Sequence, residues 1–358
     1  MQSIGLLGRL GTVINGEETL TEARFREESF TRKRGMPFPH ALHFMLDMRT
    51  TTIQTRLNAF FKHNGGGTAI SQQAFSKLRA NFDHSPFEKM IRDIYDVLHG
   101  WALDPIITDA YMNERTQCEK HIDFLCRELP DIAQKSILLG DRGYPSMTLF
   151  RKLEKSGMKF VARCKSNFAK AVSSAPTGDS IVLLKNGLSV RIIKFKLKNG
   201  DVETLATNLF DISMDAIIEL YTLRWGMETM YFNLKEKLSV EKFSGKTANS
   251  IRQDFWASMV LLNSVAVFQH EADEAVIERQ KNKPLKHRNR ARTSTIVVTL
   301  RDRFIFASLS ANADLAKQEV LDIVKLVARD TSPVRPGRSY QRDFKPFYKV
   351  NHNLKSRL

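Results

Sequence analysis

The segment 136–163 leaves this chain the fewest choices. Ser136-Ile-Leu-Leu-Gly140 is a short apolar run with the length of a buried strand, and Asp141-Arg-Gly-Tyr-Pro-Ser146 after it is turn-forming. Residues 147–156 then read as a helix and Lys159-Phe-Val-Ala-Arg163 as a second strand. A strand, a turn, a helix and another strand in so few residues make a parallel crossover unit, the building block of α/β folds. Asp141 falls at the C-terminal tip of the first strand, where open α/β sheets present ligand-binding groups. An acid there also serves as a plain helix cap, and local pattern alone leaves both readings open.

A second constraint lies at 213–238. Few breakers interrupt this segment, and Ser213-Met-Asp215 is a capping start, which predicts one long helix. At about 100° per residue, Tyr221, Arg224, Glu228 and Lys235 project within an arc of roughly 60°. Leu220, Met227, Met230, Tyr231 and Leu234 take much of the remaining circumference, so the helix is expected to bury most of itself behind one polar stripe. A solvated charged face has the same pattern. Between the two segments, residues 179–210 alternate in strand fashion on either side of Lys198-Asn-Gly-Asp201, a strong hairpin signal. Lys194, Lys196 and Lys198 share one face of that ribbon. They suit a phosphate backbone, or an edge defended against aggregation.

Charge narrows the partners. Lys plus Arg number 55 against 39 Asp plus Glu, a formal net charge of +16 and a sequence pI near 9.8. Such a balance favours an anionic partner, nucleic acid foremost. Cys118, Cys126 and Cys164 are too few and too irregular for a disulfide framework or a zinc site, and a reducing cytoplasm fits them. The N-terminus has no clear cleavage pattern, and the longest apolar stretch, 257–268, is too short to span a bilayer; no membrane partner is expected.

Elsewhere the pattern predicts helices over 39–61 and 71–79 around Gly65-Gly66-Gly67, with Lys77 and Arg79 on the second. This is a helix-turn-helix touching DNA or a helical packing unit. Residues 92–98 and 101–107 read as a hairpin, 113–129 as a helix ending before Pro130, and 251–272 as a helix packed on the sheet. A basic block at 279–292, a helix at 314–329 and a basic, aromatic tail from Ser332 complete the chain.

The spacing Tyr221, Arg224, Glu228, Lys235 resembles the signature helix of DDE transposases of the insertion-sequence-4 type. The segments DRGYPS from Asp141, KFSGKTANSIRQDFWAS from Lys242, FTRKRGMPF from Phe30 and ISQQAFSKLR from Ile70 are similar to that family as well. The resemblance implies an α/β, mixed-sheet, ribonuclease-H-like domain in two parts, 92–170 and 212–275. A β-rich insertion at 171–211, an N-terminal helical domain at 1–91 and a basic region at 276–358 accompany it. It implies Asp141 and Glu228 as catalytic, metal-binding carboxylates for Mg²⁺ or Mn²⁺, with Tyr221, Arg224, Lys235 and Arg142 meeting DNA. Double-stranded DNA at the ends of the chain's own element, a homo-oligomer on that DNA and a nucleoid-associated place in the cytoplasm follow from the same likeness.

One member is missing. The family fold places its first catalytic Asp on the first of three antiparallel strands, and here only two are legible. No Asp-Gly-Thr type of segment stands upstream, and Asp93 and Asp96 would sit on the wrong strand. The core's first strand is thus expected to be absent, through an internal deletion near Ile91, with poor solubility as a companion. The expectation is a transposase with an incomplete catalytic centre, and its alternative a non-catalytic DNA-binding remnant.

Overall fold

A computed structural model of the chain describes residues 2–31, 35–47, 51–64, 67–94, 105, 112–185, 187–197, 200–281, 286–304, 307–308, 310 and 312–334. The chain divides into two compact units, Met1–Pro105 with Phe232–Leu358, and Ile106–Tyr231.

The first unit opens with α1 (Gln2–Asn15), α2 (Glu17–Ala23), α3 (Phe38–Leu46), α4 (Ile53–His63), α5 (Gln72–Arg79) and α6 (Ser85–Asp93). Thr52 and Ser71 cap α4 and α5, each side-chain oxygen accepting a backbone N–H three residues on. The N-terminal residues supply Leu6, Leu10, Val13 and Ile14 to the core. The hairpin expected from residue 92 does not start there, because Arg92 and Asp93 are the last turn of α6 and Ile94 closes it. The apolar face of α6 carries fully buried Phe87 and Met90, so packing wins over the local strand propensity. Residues 95–104 and 106–111, with Asp96, lie outside the described residues. Asp93 is therefore a helical residue.

The second unit holds α7 (Glu114–Glu128), α8 (Pro130–Lys135), β1 (Ile137–Gly140), α9 (Met147–Lys155), β2 (Lys159–Arg163), α10 (Lys170–Ser174), β3 (Gly178–Leu183), β4 (Ser189–Lys196), β5 (Val202–Thr207), α11 (Met214–Thr222) and α12 (Trp225–Phe232), whose last residue crosses the boundary. Pro130 does not merely follow a helix; it starts α8 at the one position where its missing N–H costs nothing. The five strands form one sheet in the order β1-β2-β5-β4-β3. β1 and β2 are parallel, as the crossover required, and the hairpin β4–β5 closes with Lys196 opposite Val202. Strand periodicity sorts the core into two layers. Phe160, Ala162, Val190, Ile192 and Ala206 face one cluster with Ile122, Leu149, Phe150 and Leu153; Val161, Ile193 and Leu205 face the other with Ile217 of α11. Both faces are covered, which is why β2 reads as an unbroken apolar run. Lys194 does not reach outward from the ribbon, since its Nζ donates to the carbonyls of Ser173 and Ala175. Lys196 is exposed, and Lys198 lies outside the described residues.

The single helix expected over 213–238 is broken. Ser213 caps α11 as predicted, but at Leu223, Arg224, Gly226 and Met227 the backbone N–H groups bond three residues back and tighten the chain into a 3₁₀ turn. α12 follows, then a π-helical turn at Asn233–Lys237. α12 has no buried residue; Met227 and Tyr231, expected inside, are 46% and 54% exposed. A short helix without a packed face has little to hold it in one register with its neighbours, and glycine at 226 adds freedom at the break.

The first unit resumes with α13 (Ala248–Gln280), β6 (Asn289–Ala291), α14 (Thr293–Thr299), a π-helical turn at Leu300–Phe304, α15 (Ala313–Val327) and β7 (Thr331–Pro333). Within its own unit α13 packs among α1, α3, α6, α14 and α15 and against β6. Residues Ala257 to Gln269 are buried all round, and a helix apolar on every side needs helices on every side. Its first turns hold Arg79, whose guanidinium donates to Ser244 Oγ, Gln253 Oε1, Asp254 Oδ1 and the Ser250 carbonyl. Arg79 is thus committed inside the unit, and Lys77 alone of that pair stays exposed. Part of the basic block becomes β6, paired with β7 at the start of the tail. No described helix is long and apolar enough to cross a membrane.

Candidate active site

The site begins at the end of β1. Gly140 is the last strand residue, and a Cβ there would stand 3.4 Å from the Cβ of Ala162 and 3.5 Å from that of Tyr144. The chain then turns tightly, Tyr144 N–H donating to the Asp141 carbonyl, and the Arg142 N–H donates to Asp141 Oδ1 at 2.6 Å. Ser146 caps α9 beyond. From the opposite side, Arg115 Nε donates to the Gly143 carbonyl at 2.7 Å, tying the start of α7 to the turn. Asp141 is held at the mouth of a groove of about 570 Å³ whose lining comes wholly from the second unit.

Glu228 reaches the same groove from α12. Arg224, in the 3₁₀ turn, stands between the two acids: one terminal nitrogen lies 3.0 Å from Glu228 Oε1 and the other 3.9 Å from Asp141 Oδ2. The ring of Tyr221 backs the guanidinium, 5.9 Å from centroid to carbon. Burial pushes the Tyr221 phenol up to about 12, and its buried Oη has no hydrogen-bond partner among the described residues. Arg142 is exposed beside Asp141. Lys235 falls in the other unit, on the π-helical turn, where it pairs with Glu241 at 2.8 Å. Of the six residues singled out from sequence, Asp141, Glu228 and Arg224 meet directly, Tyr221 stacks behind them, Arg142 adjoins by its backbone, and Lys235 has another partner.

Sequence reasoning missed the third wall. Glu114, Gln117, Cys118 and His121 line the groove from one face of α7, at the i, i+3, i+4, i+7 spacing of a helical stripe. That spacing was readable, but nothing in it distinguished a groove wall from a solvated face. Tyr144 and Tyr231 also line the groove. The Tyr144 phenol is pushed up to about 12 by burial first and then by the carboxylate of Glu114, with Asp141 adding to it. Cys118 is pushed up to about 11, mainly by burial, which makes it a poor nucleophile at neutral pH.

Residues 94–264 match the family of transposase DDE domains. Over that segment, just under half of its length, the chain is similar to DDE transposases. It is 24% identical over 141 residues to a probable transposase for insertion sequence element IS5377 of Geobacillus stearothermophilus, covering 35% of this chain and 37% of that protein. It is 24% identical over 161 residues to a protein of Synechocystis assigned as a transposase for insertion sequence element IS4SA, covering 42% and 47%. A third relative, assigned as the transposase y4zB of Sinorhizobium fredii, is 25% identical over 138 residues, covering 34% and 39%. The chain spans less than half the length of each of these relatives. The DDE match takes in Asp141, Arg224 and Glu228, so the three side chains that converge belong to one matched segment.

DDE domains use divalent metals, and the residues here test that expectation in two ways. In kind the donors suit a hard cation, because carboxylate oxygens at an open groove are what Mg²⁺ and Mn²⁺ prefer. In arrangement they do not: a guanidinium spans the pair, and among the described residues no group of three or more His, Cys, Asp or Glu stands close enough to hold an ion.

Proposed function

We propose that the chain is an insertion-sequence transposase by descent, with a ribonuclease-H-like domain whose catalytic centre is incomplete. Asp141 and Glu228 are its second and third carboxylates, and the first Asp has no counterpart. Its partner is double-stranded DNA at the ends of its own element, bound as a homo-oligomer by a protein of the nucleoid. The observation that carries this reading is convergence: an acid at a strand tip and an acid on a later helix, remote in sequence, meet on one guanidinium. A net charge of +16 supports a phosphate backbone as the partner.

In this reading the Asp141 carboxylate is oriented by the Arg142 backbone N–H and Glu228 by Arg224. Arg142, exposed next to Asp141, and Lys235, exposed beyond the helix, bind phosphates. Complete DDE centres take Mg²⁺ or Mn²⁺, which in phosphoryl chemistry neutralises charge on the displaced oxygen. Among the described residues the donors are one carboxylate short of such a centre. A second reading, a DNA-binding remnant that occupies element ends without cutting, is favoured by the lack of a third carboxylate beside the pair among the described residues.

Calorimetric titration of the full chain with Mn²⁺, alongside Asp141→Ala and Glu228→Ala, tests the centre. Weak binding that both variants abolish is expected, with duplex DNA retained in a gel shift and little or no strand cleavage. Vigorous metal-dependent cleavage by the intact chain would refute the incomplete centre.

A further inference from the structure

An edge strand leaves half of its backbone groups without a partner, and chains commonly guard that half with lysine, proline or a covering element. β3 ends the five-stranded sheet, and among the described residues it pairs only with β4. The turn after it fixes which half faces out. Leu184 N–H donates to the Leu188 carbonyl, so in the alternation of an antiparallel ladder Val182 and Ser180 bond to β4, while Leu183, Ile181 and Asp179 turn their N–H and C=O groups outward. Ile181 and Leu183 are also 65% and 66% exposed. They lie on the sheet face that α11 covers but beyond that cover, since Ile217 of α11 packs with Val161, Ile193 and Leu205 of the inner strands. Arg191, the cross-strand partner of Ile181, holds the carbonyls of Phe210 and Ile212, and both of those side chains are exposed as well. No lysine or proline guards residues 178–183.

We propose that β3 is a self-pairing edge: two copies of this chain join β3 to β3, antiparallel about a two-fold axis at Ile181, and their sheets become one. Register and charge identify a second copy as the occupant. Directly opposed residues share a face, and outward groups must meet outward groups, so the pairing sets odd-numbered residues against odd. Centred on Ile181, it places Ile181 on Ile181 and Leu183 on Asp179, and keeps all of 179–183 in the ladder. It also brings the exposed Lys185 of one copy towards Asp179 of the other, twice by symmetry. The net charge of +16 opposes self-association over most of the surface, but from Ala175 to Leu184 the one charged residue is Asp179, an acid. A two-fold pairing occupies both edges at once and therefore closes. So short a ladder makes a small interface, and the dimer is weak and concentration-dependent. The inference uses neither carboxylate of the groove nor DNA; where the proposed function holds, it names the surface through which the homo-oligomer forms.

The test is sedimentation equilibrium of the full chain without DNA, over about 1 to 100 μM, where a monomer–dimer equilibrium is expected. Ile181→Lys sets like charges against each other at the axis and should weaken dimerisation by about tenfold or more. Cross-linking reads the register. In Ile181→Cys the two Cα atoms would stand about 5.5 Å apart, within disulfide range, so mild oxidation should give a covalent dimer. The side chain at 183 is as exposed, but its two copies lie four residues out of register, about 13 Å apart along the strands. Leu183→Cys should therefore link no more than the unaltered chain, whose partly buried Cys126 sets the background. If Ile181→Lys does not fold, the two cysteine variants decide. A monomer at every concentration, a dimer that Ile181→Lys leaves intact, or equal linking of both cysteine variants would overturn the self-pairing. Duplex DNA still shifted in a gel by the same protein would then show that the proposed function stands without it.

Discussion

Asp141 and Glu228 face one groove but stand on unlike supports. Asp141 follows directly on a strand whose sheet is packed on both faces, and its turn is tied from one side by Arg115 and capped on the other by Ser146. Glu228 stands on a helix with no buried residue, whose neighbours Trp225 and Phe232 are 57% and 56% exposed. The difference teaches that one half of the centre is fixed by the core, while the other is placed by a few polar contacts and stays adjustable. A site built this way tolerates insult to one support far better than to the other.

The largest effect should come from the fixed side. Phe160 on β2 is fully buried and stacks on Phe150 with ring centroids 4.5 Å apart. Phe160→Ala is expected to cost about 3–5 kcal/mol, seen as a lower urea midpoint of the second unit. A cost below about 1 kcal/mol would mean that the sheet does not anchor Asp141 as argued.

Arg191 connects the two supports. It pairs with Asp179 and donates to the carbonyls of Leu209 and Ile212, fixing the segment that leads into α11. Arg191→Leu should cost roughly 2 kcal/mol, as charged hydrogen bonds to otherwise unpaired groups do. It should also change the acid limb. The Arg191 guanidinium holds the Asp179 carboxyl below its ordinary value of 3.8. A depressed folded pKa gives stability that is present above the unfolded value and lost as pH falls through the folded one. The unaltered unit should therefore lose stability below about pH 4, and Arg191→Leu should flatten that part of the profile in acid-titrated urea melts.

On the adjustable side, Trp225→Ala removes a large side chain that touches no core. The expected change is within about 0.5 kcal/mol, measured by the same melts. A loss near that of Phe160→Ala would show that α12 is packed after all and would erase the contrast.

Legibility in the sequence divides along the same line. The crossover 136–163, the hairpin around Gly200 and the cap at Ser213 were readable because local pattern and tertiary packing agree there. The break at 223–227 was not, since helical periodicity cannot reveal that Met227 and Tyr231 stay half exposed. Arg79 looked like a surface cation because its partners, Gln253 and Asp254, are far away in sequence. The pair Asp141 and Glu228 was legible through motif spacing; that Arg224 would lie between them was not, because spacing gives a shared helix face and not the element opposite it.

The smallest effect probes the wall of the groove that sequence did not single out. Glu114 opens α7, its neighbour Asn113 capping the helix and Arg115 binding the Gly143 carbonyl, so its backbone is fixed beside the turn that carries Asp141. Its Oε2 would lie 3.5 Å from a Cβ placed on Gly143, within reach of the groove's floor. Tyr144 reports on it, since burial raises the phenol foremost and the Glu114 carboxylate raises it next. Glu114→Gln keeps the shape and removes the charge, so the Tyr144 phenol should titrate lower than about 12 while staying above its ordinary value of 10.0. The absorbance of ionised tyrosine, followed with Tyr144→Phe to assign the transition, reads this directly. An unmoved titration would place Glu114 out of the electrostatic reach of the groove and reduce its walls to the strand tip and α12.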